Sequence, residues 1–168
     1  MTTPTRTLTL IRHAKSSWKE PVSDFERPLN KRGIRNAAEM GEWLSVHGIR
    51  FEQILCSPAR RTLATAEALA AKTGYPPSAI IPVRAIYLAT ADTLLDILRS
   101  QDAAFNHIAL IGHNPGISSL AHQLLSGDFH EDLRTAAIVQ MHLAAPSWQD
   151  IHDHGGRLEF HIDPKSID

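Results

Sequence analysis

Apolar and polar positions along this chain switch between two periods. Short apolar runs at residues 7–11 (TLTLI), 51–56 (FEQILC) and 107–111 (HIALI) have the length and aliphatic content of buried strands. Residues 80–83 form a weaker strand, and 136–143 and 157–162 two more. Between these runs the apolar residues recur at helical spacing. Residues 31–47 predict a helix with Ile34, Ala37, Ala38, Gly41 and Leu44 on its apolar face, Asn30 as N-cap and Gly48 as stop. A second helix opens at Ser57-Pro58, an N-cap followed by a first-turn proline, and runs to residue 73. Its buried face is Ala59, Leu63, Ala66 and Ala70, and Gly74 with Pro76-Pro77 ends it. Residues 93–99 predict a short third helix. A fourth follows Gly112-His113-Asn114-Pro115, with Ile117, Leu120, Ala121, Leu124 and Leu125 at the expected intervals.

This rhythm predicts an α/β fold in three layers, a mostly parallel central sheet with helices on both faces. The 168 residues suit one domain spanning 1–168, and the loop at 146–156 is too short to be a linker. Ligands of such sheets bind outside the carboxyl ends of the strands. The residues just after Ile11, Cys56 and Ile111 are therefore expected to line one site.

Composition narrows the choice of partner. A formal net charge of −1 argues against a nucleic-acid binder held by bulk electrostatics, while leaving room for a local basic pocket. The single cysteine, Cys56, permits no intramolecular disulfide. The first residues lack the apolar run of a signal peptide, and no apolar segment approaches the roughly 20 residues of a membrane span. The expectation is a cytoplasmic protein without membrane or nucleic-acid partners.

The three strand ends carry Arg12-His13, then Ser57-Pro58-Ala59-Arg60-Arg61, then Gly112-His113-Asn114-Pro115. Taken singly, each is an ordinary polar loop or helix start. Together they bring two histidines, at least two arginines and two helix N-termini to one end of the sheet, a site suited to a tetrahedral dianion such as phosphate. Arginine binds phosphate oxygens in bidentate fashion and stays charged at any working pH. Histidine attacks phosphorus only when neutral, and neighbouring guanidiniums lower the pKa of His13.

The segments LIRHAKSSW, SPARRTLATA and IGHNPG resemble the three signatures of the histidine phosphatase superfamily, which has the phosphoglycerate-mutase-like fold. Short length, RHA in place of RHG, ERPLNKRG after the first loop, and Trp148 followed by GRLEFHIDPK are similar to the small SixA-like branch of phosphohistidine phosphatases. The resemblance implies that His13 is the nucleophile, Arg12 a phosphate ligand and His113 the second pocket histidine. In the pattern S-x-x-x-R-x-x-x-T, Ser57 and Thr65 set the register, so Arg61 rather than Arg60 is the second phosphate-binding arginine. No metal and no organic cofactor are implied. Two positions depart from the common pattern: Ala14 follows the nucleophile in place of glycine, and Lys19 stands where mutases have a phosphate-binding asparagine. Lys19 is a candidate substrate contact, with a solvated loop residue as its plain alternative.

Relatives that cleave esters take a proton from a glutamate after the third strand. Here the stretch 85–92 (AIYLATAD) holds none, and Asp92, a candidate general acid, is also placed to cap the helix at Thr93. A phosphohistidine leaves as imidazole, whose conjugate acid has a pKa near ~6.5, and so carries its own proton. The expected activity is therefore that of a protein phosphohistidine phosphatase acting through a covalent phosphohistidine intermediate. A small-metabolite phosphomonoesterase and a non-catalytic phosphate- or phosphoprotein-binding module are the alternatives, and every reading makes a phosphorylated compound the partner. Other chemistries fail on spacing. Cys56 would need an arginine six residues on, where Thr62 stands, and Leu120 replaces the closing glycine of a serine-hydrolase elbow. His152, His154 and His161 lack the spacing of a zinc motif, and the chain has no P-loop.

Overall fold

A computed structural model describes residues 4–167. The six strands are β1 (Thr5–Arg12), β2 (Gln53–Cys56), β3 (Ile81–Pro82), β4 (His107–Gly112), β5 (Ile138–Ala144) and β6 (Gly156–Ile162). They form one sheet in the order β3-β2-β4-β1-β5-β6. The four strands from β3 to β1 pair in parallel, and β5 and β6 extend the sheet in antiparallel fashion. Four helices cover it: α1 (Lys31–Val46), α2 (Arg60–Thr73), α3 (Ala91–Arg99) and α4 (Gly116–Leu124).

The strand period sorts the core into two halves. On β4, Ile108 and Leu110 face the apolar side chains of α3 and α4, among them Leu94, Leu98, Ile117 and Leu120. Ala109 and Ile111 face the opposite layer, where Ala37, Met40 and Leu44 of α1 meet Ala66, Leu69 and Ala70 of α2. A strand buried on both faces reads as a continuous apolar run, as parallel sheets require. Within this core Thr9 is buried on β1, its hydroxyl 2.8 Å from His107 Nε2 and 3.0 Å from Gln140 Oε1.

Sheet register places the three loops side by side. Ile11 pairs with Ile111 and Arg12 with Gly112, while Cys56 pairs with Ile111 from the other side. The His13 amide donates to the Gly112 carbonyl and the Ser57 amide to the Ile111 carbonyl, both at 3.1 Å. The chain therefore leaves all three strands at one level.

Three local expectations change. On α1 the buried stripe is Gly33, Asn36, Ala37, Met40, Gly41 and Leu44, and Ile34 is 60% exposed. Gly33 sets this rotation: a Cβ there would stand 2.0 Å from the Lys15 carbonyl oxygen, so the helix backbone rests on the first loop and Ile34 turns outward. On α2 the N-cap is Ala59, and the helix starts at Arg60. The Ser57 hydroxyl is turned to the His113 ring at 2.8 Å, so this serine serves the pocket and not the helix. On α3 the cap is Thr90, whose Oγ1 accepts from the Thr93 amide at 3.3 Å, and Asp92 lies inside the first turn.

Candidate active site

A cavity of about 380 Å³ opens at the carboxyl ends of β1, β2 and β4, and Arg12, His13, Arg61 and His113 all line it. His13, Arg61 and His113 are only 7%, 2% and 3% exposed. The two imidazoles face each other with centroids 5.3 Å apart and planes tilted by 55°. Arg60, one residue from Arg61, points to solvent. The first turn of α2 rotates one arginine inward and the other out.

Fixed donors and acceptors determine the state of both rings. His13 Nδ1 lies 2.7 Å from the Ala14 carbonyl oxygen, which can only accept. Nδ1 therefore carries the hydrogen, and Nε2 presents a lone pair. The Ala14 amide in turn donates to Thr65 Oγ1 at 3.0 Å, and that hydroxyl donates to the Arg61 carbonyl at 2.8 Å. One threonine so ties the loop of His13 to the helix turn that holds Arg61. His113 is set the other way round. Arg61 Nη2 donates to its Nδ1 at 3.2 Å, so Nε2 carries the hydrogen and donates to Ser57 Oγ at 2.8 Å.

Burial and charge keep both rings neutral. Burial lowers the His13 pKa to about 4; its bond to the Ala14 carbonyl works the other way, and Arg61, Arg12 and Arg27 lower it further. The arginines act as expected, but burial has the larger effect. His113 is lowered to about 3, by burial first and then by His13 and Arg61. Arg12 is anchored by donation from Nη1 to the Leu133 carbonyl at 2.9 Å, and the Nε atoms of Arg12 and Arg61 are buried without a partner. Such guanidiniums hold unused donors beside the cavity.

The structure adds three residues that the motifs did not single out. Asp24 lines the cavity; its Oδ2 accepts from Arg61 Nη2 at 3.0 Å and from the Tyr87 hydroxyl at 2.5 Å, and its Oδ1 accepts from Arg27 Nε at 3.1 Å. Burial pushes the Asp24 carboxyl upward, but the bonds from Tyr87 and Arg61 and the charge of Arg61 outweigh it and hold the pKa at about 2. Tyr87 is raised by burial and by its bond to Asp24, and so keeps its proton. Arg27, also lining the cavity, donates to Ser16 Oγ at 2.6 Å and stacks 3.4 Å from the centre of the Trp18 ring. Tyr87 lies just beyond β3, a fourth strand end to which the same positional rule applies. Asp24 sits in the long loop after β1, where no periodicity marks it, and Arg27 lies in the ERPLNKRG segment, whose resemblance gives the arginine no role.

The other candidates fall elsewhere. Lys19 is exposed and lines a neighbouring groove with Trp18 and Ile34, whereas Lys15 reaches the His13 cavity. Asp92 stays in the first turn of α3, outside the residues lining the cavity. Cys56 is fully buried, its thiol donates to the Ser57 carbonyl at 3.2 Å, and burial raises its pKa. His161 pairs with Glu131 at 2.7 Å, and His154 Nδ1 lies 3.0 Å from the Leu125 carbonyl oxygen. Among the described residues no helix is long and apolar enough to cross a membrane.

Fold and pocket together define a three-layer α/β protein with a neutral histidine inside an arginine-lined cavity. The sequence profile of the histidine phosphatase superfamily (branch 1) matches residues 8–84. An uncharacterised protein of Mycobacterium tuberculosis is 34% identical over 116 residues, which cover 69% of this chain and 70% of that one. A structure of the protein histidine phosphatase SixA complexed with tungstate superposes with a TM-score of 0.82 at 20% identity, covering 96% of this chain and 99% of that one. A Nakamurella multipartitia protein assigned as a SixA phosphohistidine phosphatase gives 0.79 at 26% identity, with 96% and 97% covered. This chain belongs to the histidine phosphatase superfamily, and within it has the fold of the small SixA-like proteins.

Proposed function

We propose that this protein is a phosphatase that transfers a phosphoryl group from phosphohistidine in a protein to His13 and then to water. The observation that carries this reading is the Nδ1 bond of His13 to the Ala14 carbonyl, which leaves Nε2 bare in a cationic pocket. Nε2 attacks phosphorus, the P–N bond to the substrate's imidazole breaks, and that ring departs neutral because its other nitrogen already holds a proton. In the intermediate the Nδ1 hydrogen of His13 stays on the ring, so this imidazole also leaves neutral when water attacks. Water gives its hydroxyl to phosphorus and its second hydrogen to a phosphate oxygen, and dihydrogen phosphate is released. Arg12 and Arg61 neutralise the equatorial oxygens throughout, which is the main demand of phosphoryl transfer. With the charge supplied by guanidiniums, turnover is expected to persist in a chelator.

The substrate preference follows from Asp24. It is a carboxylate lining the pocket, held ionised by Arg61, Arg27 and Tyr87, and so is no proton donor near neutral pH. An alcohol leaving group requires such a donor, whereas a protonated imidazole does not. Tungstate, which the SixA structure holds, is an oxyanion of the same general kind as phosphate. The test is an alkaline quench of the enzyme with a labelled phosphohistidine peptide, followed by mapping of the label. Label on His13 and loss of turnover in His13→Ala are expected; full turnover by His13→Ala would overturn the reading.

A further inference from the structure

Beside the His13 cavity lies a second one of about 350 Å³, sharing Arg12 and Lys15 with it. Its other charged lining groups are Arg32, Arg134, Lys165 and one carboxylate, Asp163. Among the described residues none of these five cations lies within salt-bridge distance of a carboxylate. The chain as a whole carries a net charge of −1, so this positive charge is a local concentration at the mouth of the pocket. On the far side of the cleft Arg134 and Lys165 also border a cavity lined by Glu131, Asp132 and Asp163, where Glu131 is engaged by His161. Burial lowers the Arg12 pKa, and the charge of Asp132 opposes that shift.

The other side of the mouth is apolar. Trp18 is 77% exposed and shares a groove of about 680 Å³ with Leu29 and the outward-turned Ile34. Lys15 and Arg32 border both the groove and the cleft. An exposed tryptophan backed by a stacked arginine has the composition of an interface anchor. Arg32, Arg134 and Lys165 are exposed, flexible side chains spread along the cleft, and do not form the convergent clamp that a second phosphate group would require.

We propose that this face docks an acidic stretch of the substrate polypeptide, with carboxylates flanking the phosphorylated residue in the cleft of Arg32, Arg134 and Lys165. The inference rests on the reading of the substrate as a protein phosphohistidine. It explains why the cations extend beyond the transferred group, and it assigns them to recognition and not to chemistry.

The test uses two phosphohistidine peptides of equal length, one flanked by glutamates and one by lysines, with inorganic phosphoramidate as the small substrate. We expect wild type to favour the glutamate peptide by about tenfold in kcat/KM, the modest gain that several exposed ion pairs supply together. That preference should shrink as salt is raised. The triple variant Arg32→Glu/Arg134→Glu/Lys165→Glu should lose it through KM, with phosphoramidate turnover unchanged. Equal rates on both peptides in wild type, or an equal loss on phosphoramidate in the variant, would overturn the docking proposal. If the triple variant does not fold, the salt dependence of the wild-type preference decides. If phosphoramidate is cleaved but neither peptide is, the substrate reading fails by itself. Docking is then read from binding of the two peptides, unphosphorylated, to His13→Ala: preference for the glutamate peptide supports it, and no preference overturns it.

Discussion

Arg61 holds Asp24 twice, donating from Nη1 to its backbone carbonyl at 2.7 Å and from Nη2 to its carboxylate at 3.0 Å. The pairing joins the loop after β1 to the first turn of α2 across the cavity, and it fixes a guanidinium that is 2% exposed. Because Asp24 is ionised down to about pH 2, its role is to orient Arg61 and Arg27. We expect Asp24→Asn to lower kcat/KM by about tenfold to a hundredfold through misplaced arginine. The loss should be equal on phosphohistidine peptides and on alkyl phosphates. Paired rate measurements check this; a loss confined to the alkyl phosphate would identify Asp24 as a proton donor.

The Ser57 hydroxyl is fully buried against His113 Nε2. Ser57→Ala strands a buried N–H donor, which costs about 1–3 kcal/mol of stability. We expect a lowered denaturation midpoint, with ring-nitrogen NMR shifts still showing the Nε2–H tautomer of His113, because Arg61 continues to donate to Nδ1. A mixture of tautomers in the variant would mean that Ser57, and not Arg61, fixes the state of the ring.

Much of this site was legible because one rule governed it. The strand periods marked where β1, β2 and β4 end, and parallel register brings those ends level, so His13, His113 and the Arg60-Arg61 pair come to one end of the sheet; the choice of Arg61 over Arg60 needed the superfamily pattern. Helix faces were less legible. Ile34 and Ala37 both fit an apolar stripe by spacing, and only the contact of Gly33 with the Lys15 carbonyl decides that Ile34 faces water. Ser57-Pro58 likewise carries the signature of a helix start, but the hydroxyl has a stronger partner in His113. Asp24 was illegible for a different reason. Its function comes from long-range bonds to Arg61 and Tyr87, which leave no local pattern in a polar loop.

Gly33 carries a prediction of its own. A Cβ at this position meets backbone, the Lys15 carbonyl oxygen at 2.0 Å, and no side chain can move aside. Gly33→Ala should therefore destabilise the fold by about 1–3 kcal/mol, as overpacking does. It should also slow turnover, because Lys15 follows the residue whose carbonyl holds His13. Urea denaturation and steady-state rates check both effects, and the substitution Gly127→Ala, with nothing within 4 Å of the added carbon but a φ of +83°, separates crowding from backbone strain.

The buried histidines make stability depend on pH in a definite direction. His13 and His113 have pKa values near 4 and 3 when folded, against an unfolded value of ~6.5. As pH falls below that value the unfolded chain takes up protons first, so stability is full above it and declines toward pH 4. By pH 5 each ring accounts for a loss of about 2 kcal/mol. His113→Asn should flatten the decline measured by chemical denaturation between pH 7.5 and 5. An unchanged slope would mean that the ring titrates normally.

Catalysis should show two opposed pH dependences. In the proposed mechanism the enzyme contributes to kcat/KM the ionisation of free His13, whose pKa is about 4, so that its ring is almost wholly neutral from about pH 5 upward. For an alkyl phosphate the acid limb should therefore lie near pH 4 and not near the ~6.5 of an ordinary histidine. A phosphohistidine substrate adds a second requirement, because its ring must hold a proton to leave as neutral imidazole. That requirement is met below the substrate's own pKa and lost above it, so its rate should fall as pH rises through about 6.5. The ratio of the two rates, measured on one enzyme preparation, cancels the titration of His13 and isolates the leaving group. A ratio that is flat with pH would mean that the protein supplies the proton, and would direct attention back to Tyr87 and Asp24 as its source.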